Sequence, residues 1–319
     1  MKRILLGVVT LALVACESSP SSPGSEFEPT LSLENIEEHL SVLAHDSMFG
    51  RRAGSEHELM AAEYVRDEFI EYGLEPGVAT YLQTFEAEPG PYTSQNVLAV
   101  IPGEGSLAGE WLVLGAHYDH VGWIVDSDTA LVFNGADDNA SGTALLLELA
   151  RSLAEWEAMG GGGPEGRRSI MIHAYGAEER GLVGSGYFCD NPTVPMGGIV
   201  AMLNFDMVGR LSQNGLILIG FSSSPDWLEI LSEVGGQLPE FRTSDAGLSR
   251  SDQACFYDQQ RPVLFFHTGT HNEYHQPEDD IGLIDFDGMM TIGEMAVGLV
   301  VTLAERPEAP VFSGVLQTE

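Results

Sequence analysis

Residues 111–156 read WLVLGAHYDHVGWIVDSDTALVFNGADDNASGTALLLELARSLAEW, and the order of patterns in this stretch decides the fold class. Its opening run, Trp111 to His117, is apolar without alternation, which suits a strand covered on both faces. Its closing run, ASGTALLLELARSLAEW, carries apolar residues at helical spacing, with Ser141 placed to cap the helix. A buried strand followed by an amphipathic helix is the repeating unit of an α/β sheet.

Outward from this unit the strand pattern recurs in NVLAVI (Asn96 to Ile101), SIMIHAYG (Ser169 to Gly176) and IVAMLNFD (Ile199 to Asp206), and LILIG and PVLFF extend it. Two helical stretches, LSLENIEEHLSVLA and HELMAAEYVRDEFIEYG, come first, with Gly73 as the C-terminal cap of the second. DFDGMMTIGEMAVGLVVTLAE closes the chain as a long helix. The expectation is an α/β domain of three αβα layers, its central, mostly parallel mixed sheet covered by helices on both faces. Gly160 to Gly163 form a surface loop, since the lysine and preceding strand of a phosphate-binding loop are missing.

The chain has 319 residues, 44% of them hydrophobic and 19% charged, enough to bury a large core. With 48 acidic residues against 14 basic ones, its formal charge of -34 repels nucleic acid and anionic membrane surfaces. The N-terminus is a processing signal: Lys2 and Arg3, an apolar run from Ile4 to Val14, then Ala15 and Cys16. That run is too short to span a bilayer permanently. The ending Leu13-Val14-Ala15-Cys16 resembles the lipobox of bacterial lipoproteins, which implies a signal peptide over 1–15 and a lipid on Cys16. Residues 16–30, rich in Ser, Pro and Glu, read as a flexible tether, and 31–319 as one domain. The expected location is therefore the cell envelope, reached by export, with the lipid as membrane anchor. Cys189 and Cys255 remain, either paired or separately buried.

In open α/β sheets ligands bind beyond the carboxyl ends of the strands. His117-Tyr118-Asp119 end one apolar run; Glu178-Glu179 follow another; Asp206 ends a third. Asp137 and Asp138 precede a helix, and His275 follows PVLFFHTGT. Carboxylates gathered at one edge repel unless protonated or joined by a cation. Carboxylate and imidazole donors without thiolate suit zinc or a similar divalent ion, and a pair of ions would use five ligands.

The blocks GAHYDH, NGADDNASGTALLLELA, GAEERGLVGS, LNFDMVGR and HTGTHNEYHQPED resemble, in that order, the di-zinc aminopeptidases of bacteria and their wider clan of zinc exopeptidases. The resemblance extends from about Leu31 to Glu305, without room for the protease-associated insert of larger relatives. It implies two Zn2+ ions, one on His117 and Asp206 and the other on Glu179 and His275, with Asp137 bridging. It also implies a cis peptide at Asp137-Asp138, Asp119 accepting a hydrogen bond from His117, and Glu178 as the general base. Peptides with a free N-terminus would be the substrates. His120, His267 and His271 are read as hydrogen-bonding to the ligands or lining the pocket at most, His173 as a core histidine, Ser251-Asp252 as a helix cap, and Arg51 and Arg52 as partners in structural ion pairs.

Two other functions fit parts of the same motif set. Glutaminyl cyclases of the clan use one zinc, but GAEERGLVGS continues into a helix without the tryptophan-bearing segment such cyclases have there. A silent binding module would have lost ligands or the base, and here both are kept. A carboxypeptidase or dipeptidase would need a cationic pocket, for which Arg210 and Arg250 are the candidates.

Overall fold

The computed structural model describes residues 29–87, 92–126, 129–236 and 238–314. The expected signal peptide, Cys16 and all but the last two residues of the tether lie outside them. A nine-stranded sheet organises the rest. Its strands include β1 (Leu82–Ala87), β2 (Tyr92–Ile101), β3 (Trp111–His117), β4 (Ser169–Tyr175), β5 (Ile199–Phe205), β6 (Leu216–Ile219), β7 (Phe241–Ser244) and β8 (Val263–His267). The spatial order is β2-β4-β3-β5-β8-β6-β7, with β1 and the short strand Glu75–Pro76 on β2. The central strands β4, β3, β5 and β8 are mutually parallel. β2 joins them antiparallel on one side, as does β6 on the other.

The alternation hidden in the apolar runs becomes visible once the faces are separated. Leu112, Leu114, Ala116, Ile170, Ile172, Leu203 and Phe205 point to one face. Helices α1 (Leu33–Leu43), α2 (Glu56–Glu71), α3 (Gly142–Ala158), α5 (Trp227–Glu233) and α7 (Phe286–Glu305) supply residues such as Leu40, Val65, Leu146, Trp227 and Leu299 to the same cluster. Val113, Met171, Met202 and Phe265 point to the other face and meet Phe188 of α4 (Val183–Asp190) and Phe256 of α6 (Gln253–Asp258). The strands are apolar throughout because both faces are buried.

Ser32 caps α1 and Ser55 caps α2 through their hydroxyls, and Gly73 at φ +74 ends α2 in the left-handed region that glycine adopts freely. Ser141 does not cap α3. Its hydroxyl donates to the Asp137 carbonyl at 2.7 Å, because residues 136–141 form a tight turn of their own before the helix. Helix α7 is long and apolar enough to cross a membrane by length and composition, but Met289, Ile292, Leu299 and Leu303 are buried in the core. Cys189 of α4 and Cys255 of α6 form a disulfide, which closes the alternative left open by the sequence.

Candidate active site

The carboxyl ends of β3, β4, β5 and β8 lie side by side, so the loops that leave them converge. His117 is the last residue of β3, and Asp206 directly follows β5. Glu178 and Glu179 form a single helical turn after β4, entered through Ala177 at φ +57. His275, itself at φ +56, comes from the segment after β8. A non-glycine residue in this region costs about 1–3 kcal/mol, which the surrounding packing must offset.

Two groups of donor atoms result, His117 with Asp138 and Asp206, and His120 with Asp138, Glu179 and His275; within each, all atoms lie within 4.8 Å of one another. Asp138 belongs to both. Its Oδ1 is 3.4 Å from His117 Nε2, and its Oδ2 is 2.9 Å from His275 Nε2. Asp206 Oδ2 stands 3.6 Å from His117 Nε2, and Glu179 Oε1 stands 3.1 Å from His275 Nε2. His120 turns Nδ1 to Glu179 Oε1 at 3.0 Å, which places it against a donor of the cluster and within the second group.

Asp137, expected as the bridge, is not the residue that faces the cluster. Asp138 is extended, at φ -106 and ψ 94, so consecutive side chains diverge. The Asp137 carboxylate is engaged elsewhere, accepting the Gly209 N–H at 2.7 Å and the Ser141 hydroxyl at 3.1 Å, with His271 Nε2 3.1 Å from its other oxygen. The cis peptide likewise lies between Asp138 and Asn139, one residue later than expected. Asp279 holds this turn from below by accepting the backbone N–H groups of both Asp137 and Asp138. Arg210 Nη2 lies 3.3 Å from Asp279 Oδ1, completely buried, and so is no part of a substrate pocket.

Asp119 also acts differently from expectation. His117 Nδ1 meets the backbone carbonyl of Asp119 at 3.2 Å, while the Asp119 carboxylate accepts the N–H of Glu178 at 2.9 Å and of Glu179 at 3.3 Å. It therefore fixes the turn that presents both glutamates. Glu58 supports the same region: it is buried and accepts from Gly54 N–H and from the Ser94 hydroxyl, each at 2.6 Å. Burial, opposed by these hydrogen bonds, pushes its pKa up to about 7.

Arg51 makes no ion pair among the described residues. Its buried guanidinium donates to the carbonyls of Tyr118, Leu43, Asn134 and Gly135, tying the loop after β3 to the loop before Asp137. Arg52 donates to the carbonyls of Val121 and Trp123. Asp252 stands at the N-cap position of α6 but makes no capping bond through its side chain; it is completely buried, and burial raises its pKa to about 6 while His117 and Ser185 oppose the rise. His173 is the core histidine expected, with burial lowering its pKa to about 3. Sequence reasoning assigned no role to Glu58 or Asp279 and read Asp252 only as a cap, because their roles depend on what packs against them.

The donor set fits divalent metal. It consists of oxygen and nitrogen atoms alone, and His275 Nε2 is buried and close to two carboxylates while hydrogen-bonded to neither, as an atom aimed at a shared centre would be. Burial would lower the His275 pKa, but Asp138 and Glu179 outweigh it and push it up to about 10, so the cluster calls for positive charge. Burial raises the Glu178 carboxyl well above its ordinary range, against the pull of His117. The cluster floors a cavity of about 690 Å³, whose walls include Met207, Ile217, Ile219 and Phe265.

The model of peptidase family M28 matches residues 96–300. Leucine aminopeptidase 1 of Leptosphaeria maculans is 28% identical over 290 residues, covering 86% of this chain and 71% of that protein. Among solved structures, BSAP, a zinc aminopeptidase from Bacillus subtilis, superposes with TM-score 0.72 at 16% identity, covering 90% of this chain and 99% of that one. Glutaminyl cyclase of Porphyromonas gingivalis superposes with TM-score 0.64 at 19% identity, covering 85% and 98%. At those identities the two structures speak for the shared fold alone. The family's model takes in more than half of the chain, including every strand that ends at the cluster, and the chain belongs to peptidase family M28 and is a peptide-bond hydrolase.

Proposed function

We propose that the protein is a zinc-dependent aminopeptidase that removes the N-terminal residue of peptides, with two metal ions sharing Asp138. His117 and Asp206 would hold one ion, and Glu179 and His275 the other, with His120 beside it. The observation that carries this reading is the pair of donor groups joined by one carboxylate at the floor of a cavity that Glu178 also lines. The relatives' name, leucine aminopeptidase, and the apolar wall of Met207, Ile217, Ile219 and Phe265 support a preference for an apolar first residue.

When bound, zinc supplies Lewis acidity that brings the pKa of water toward about 7 and steadies charge on a carbonyl oxygen. Glu178 takes a proton from the attacking water as its oxygen bonds to the scissile carbonyl carbon. As the C–N bond breaks, Glu178 returns that proton to the departing amine. Asp119 holds Glu178 in place for both transfers, and a free amino terminus, unlike an acetylated one, has a nitrogen lone pair that a bound ion would accept.

The test is a mass-spectrometric digest of free, acetylated and Gln-first peptides by the zinc-loaded protein, with a chelator control. Loss of single residues from free N-termini, stopped by the chelator, supports the reading. Loss of ammonia alone from Gln-first peptides would transfer the assignment to glutaminyl cyclisation. Against that second reading, the glutamate turn passes within a few residues into α4.

The same proposal includes export and tethering through a lipid on Cys16, which the disulfide supports because such bonds persist outside the reducing cytosol. Membrane partitioning of a Cys16→Ala variant indistinguishable from the parent would remove this part.

A further inference from the structure

The cavity that holds the cluster is also lined by cations. Arg242 on β7 and Arg250 in the following loop line it together with Glu178 and Asp206. In a chain of 14 basic and 48 acidic residues, cations are scarce, and six of the twelve described arginines are already paired with carboxylates. Arg66, Arg151, Arg167, Arg168, Arg210 and Arg306 each have a carboxylate of the protein within 4.0 Å. Arg242 and Arg250 have none among the described residues. Arg242 donates one bond to the Asn214 carbonyl, and Arg250 has no side-chain hydrogen bond among the described residues.

We propose that Arg242 and Arg250 form an anion-accepting subsite that binds a substrate carboxylate, so that short peptides bearing one are preferred. The inference rests on the aminopeptidase reading of the cluster. A guanidinium presents paired N–H donors that match a carboxylate, and such charge-assisted bonds are among the stronger ones. At about 690 Å³ the cavity is in the range that encloses a molecule of several residues and exceeds what one side chain needs. Arg242 and Arg250 share one cavity with the cluster, so a short peptide whose amino end is held at the cluster would have guanidiniums within the same cavity for its carboxylate. Arg210, which sequence offered as the partner of Arg250 in this role, is buried under the cluster, and Arg242 stands in its place.

The carboxylate could come from the C-terminus of a di- or tripeptide or from an acidic side chain after the first residue. Steady-state kinetics on Leu-Ala, Leu-Ala-amide and Leu-Glu-amide with the zinc-loaded protein separate the two. The expected result is a kcat/KM roughly tenfold higher for a carboxylate-bearing peptide than for Leu-Ala-amide, expressed mainly in KM and shrinking with added salt. Preference for Leu-Ala assigns the terminal carboxylate, and preference for Leu-Glu-amide the side chain. In the R242Q/R250Q double variant, with zinc content and circular dichroism like the parent's, the ratio should fall to near one. A parent ratio near one, or a ratio that survives in the variant, overturns the proposal. If no peptide loses its first residue, the aminopeptidase reading has failed. The subsite is then decided by calorimetric binding of acetyl-Leu-Ala against its amide, where equal affinities overturn it.

Discussion

Asp119 Oδ1 accepts the backbone N–H of Glu178 at 2.9 Å, so the carboxylate two residues beyond His117 holds the turn that carries the proposed general base. The same side chain takes the N–H of Glu179, and His117 rests on its backbone carbonyl. One residue thus sets the positions of His117 from β3 and two glutamates from the loop after β4. Asp119→Asn keeps one acceptor oxygen but turns an amide group toward one of the two N–H donors. Loss of an outer partner of this kind costs about 10–100-fold in metal affinity or activity, and that is the expected fall in kcat/KM. Zinc titration alongside the kinetics checks it, and unchanged values in both would remove Asp119 from this role.

Glu178→Gln tests the base without removing a ligand. The glutamine fills the same space and cannot take a proton. General acid–base catalysis of this type contributes about 10²–10⁴-fold, so kcat should drop within that range while metal content, read by mass spectrometry of the bound ions, stays at the parent's value. A variant with near-normal turnover and full metal would sink the assignment.

Asp138 and Asp137 should separate cleanly. Asp138→Asn weakens the residue shared by both donor groups and should lower bound zinc below that of the parent. Asp137→Asn leaves the donor atoms in place but disturbs the bonds to Gly209 and Ser141; its expected cost is about 1–3 kcal/mol of stability, with bound zinc retained. Equal zinc loss in the two variants would contradict the geometry.

That pair also marks where sequence stops being informative. The central strands were legible because burial on both faces forces continuous apolar runs such as WLVLGAH and IVAMLNF. The strands at the margins were not: Leu82–Ala87 alternates buried and exposed residues, and Phe241–Ser244 has no fully buried residue, so neither gives an apolar run. At the site, residue type and order pointed to His117, Glu179, Asp206 and His275, which the fold brings together. The sequence could not say which of two adjacent aspartates turns inward, because that depends on backbone angles in a six-residue turn. Nor could it show that His120 reaches Glu179, or that Arg51 hydrogen-bonds to carbonyls and not to carboxylates.

Breaking the Cys189–Cys255 bridge should loosen the face that carries α4 and α6. The residues are 66 apart in sequence, and in the chain-entropy account closure of a loop that long is worth about 4 kcal/mol. Urea unfolding of the C189A/C255A variant should show a loss of that order, and a difference below about 1 kcal/mol would count against the bridge in solution.

His173 gives the stability curve a component whose sign can be worked out. Burial lowers its folded pKa to about 3 from an ordinary value of 6.5, so the imidazole is neutral in the native core and takes up a proton only on unfolding. Stability from this group is complete above about pH 6.5 and is lost as pH falls toward 3, at up to about 1.4 kcal/mol per pH unit. Glu58 works in the opposite sense, since its pKa is raised to about 7 and the native state binds its proton first as pH falls from 7 toward 4.5. The parent's own curve therefore mixes opposing terms, and the informative quantity is a difference. His173→Phe removes the titrating ring at the cost of its contact to the Tyr175 hydroxyl, a constant offset. Relative to the parent, the variant should gain stability steadily between about pH 6.5 and 4.5 in urea titrations at fixed zinc. A difference that stays flat across that interval would mean that His173 is not neutral in the folded protein.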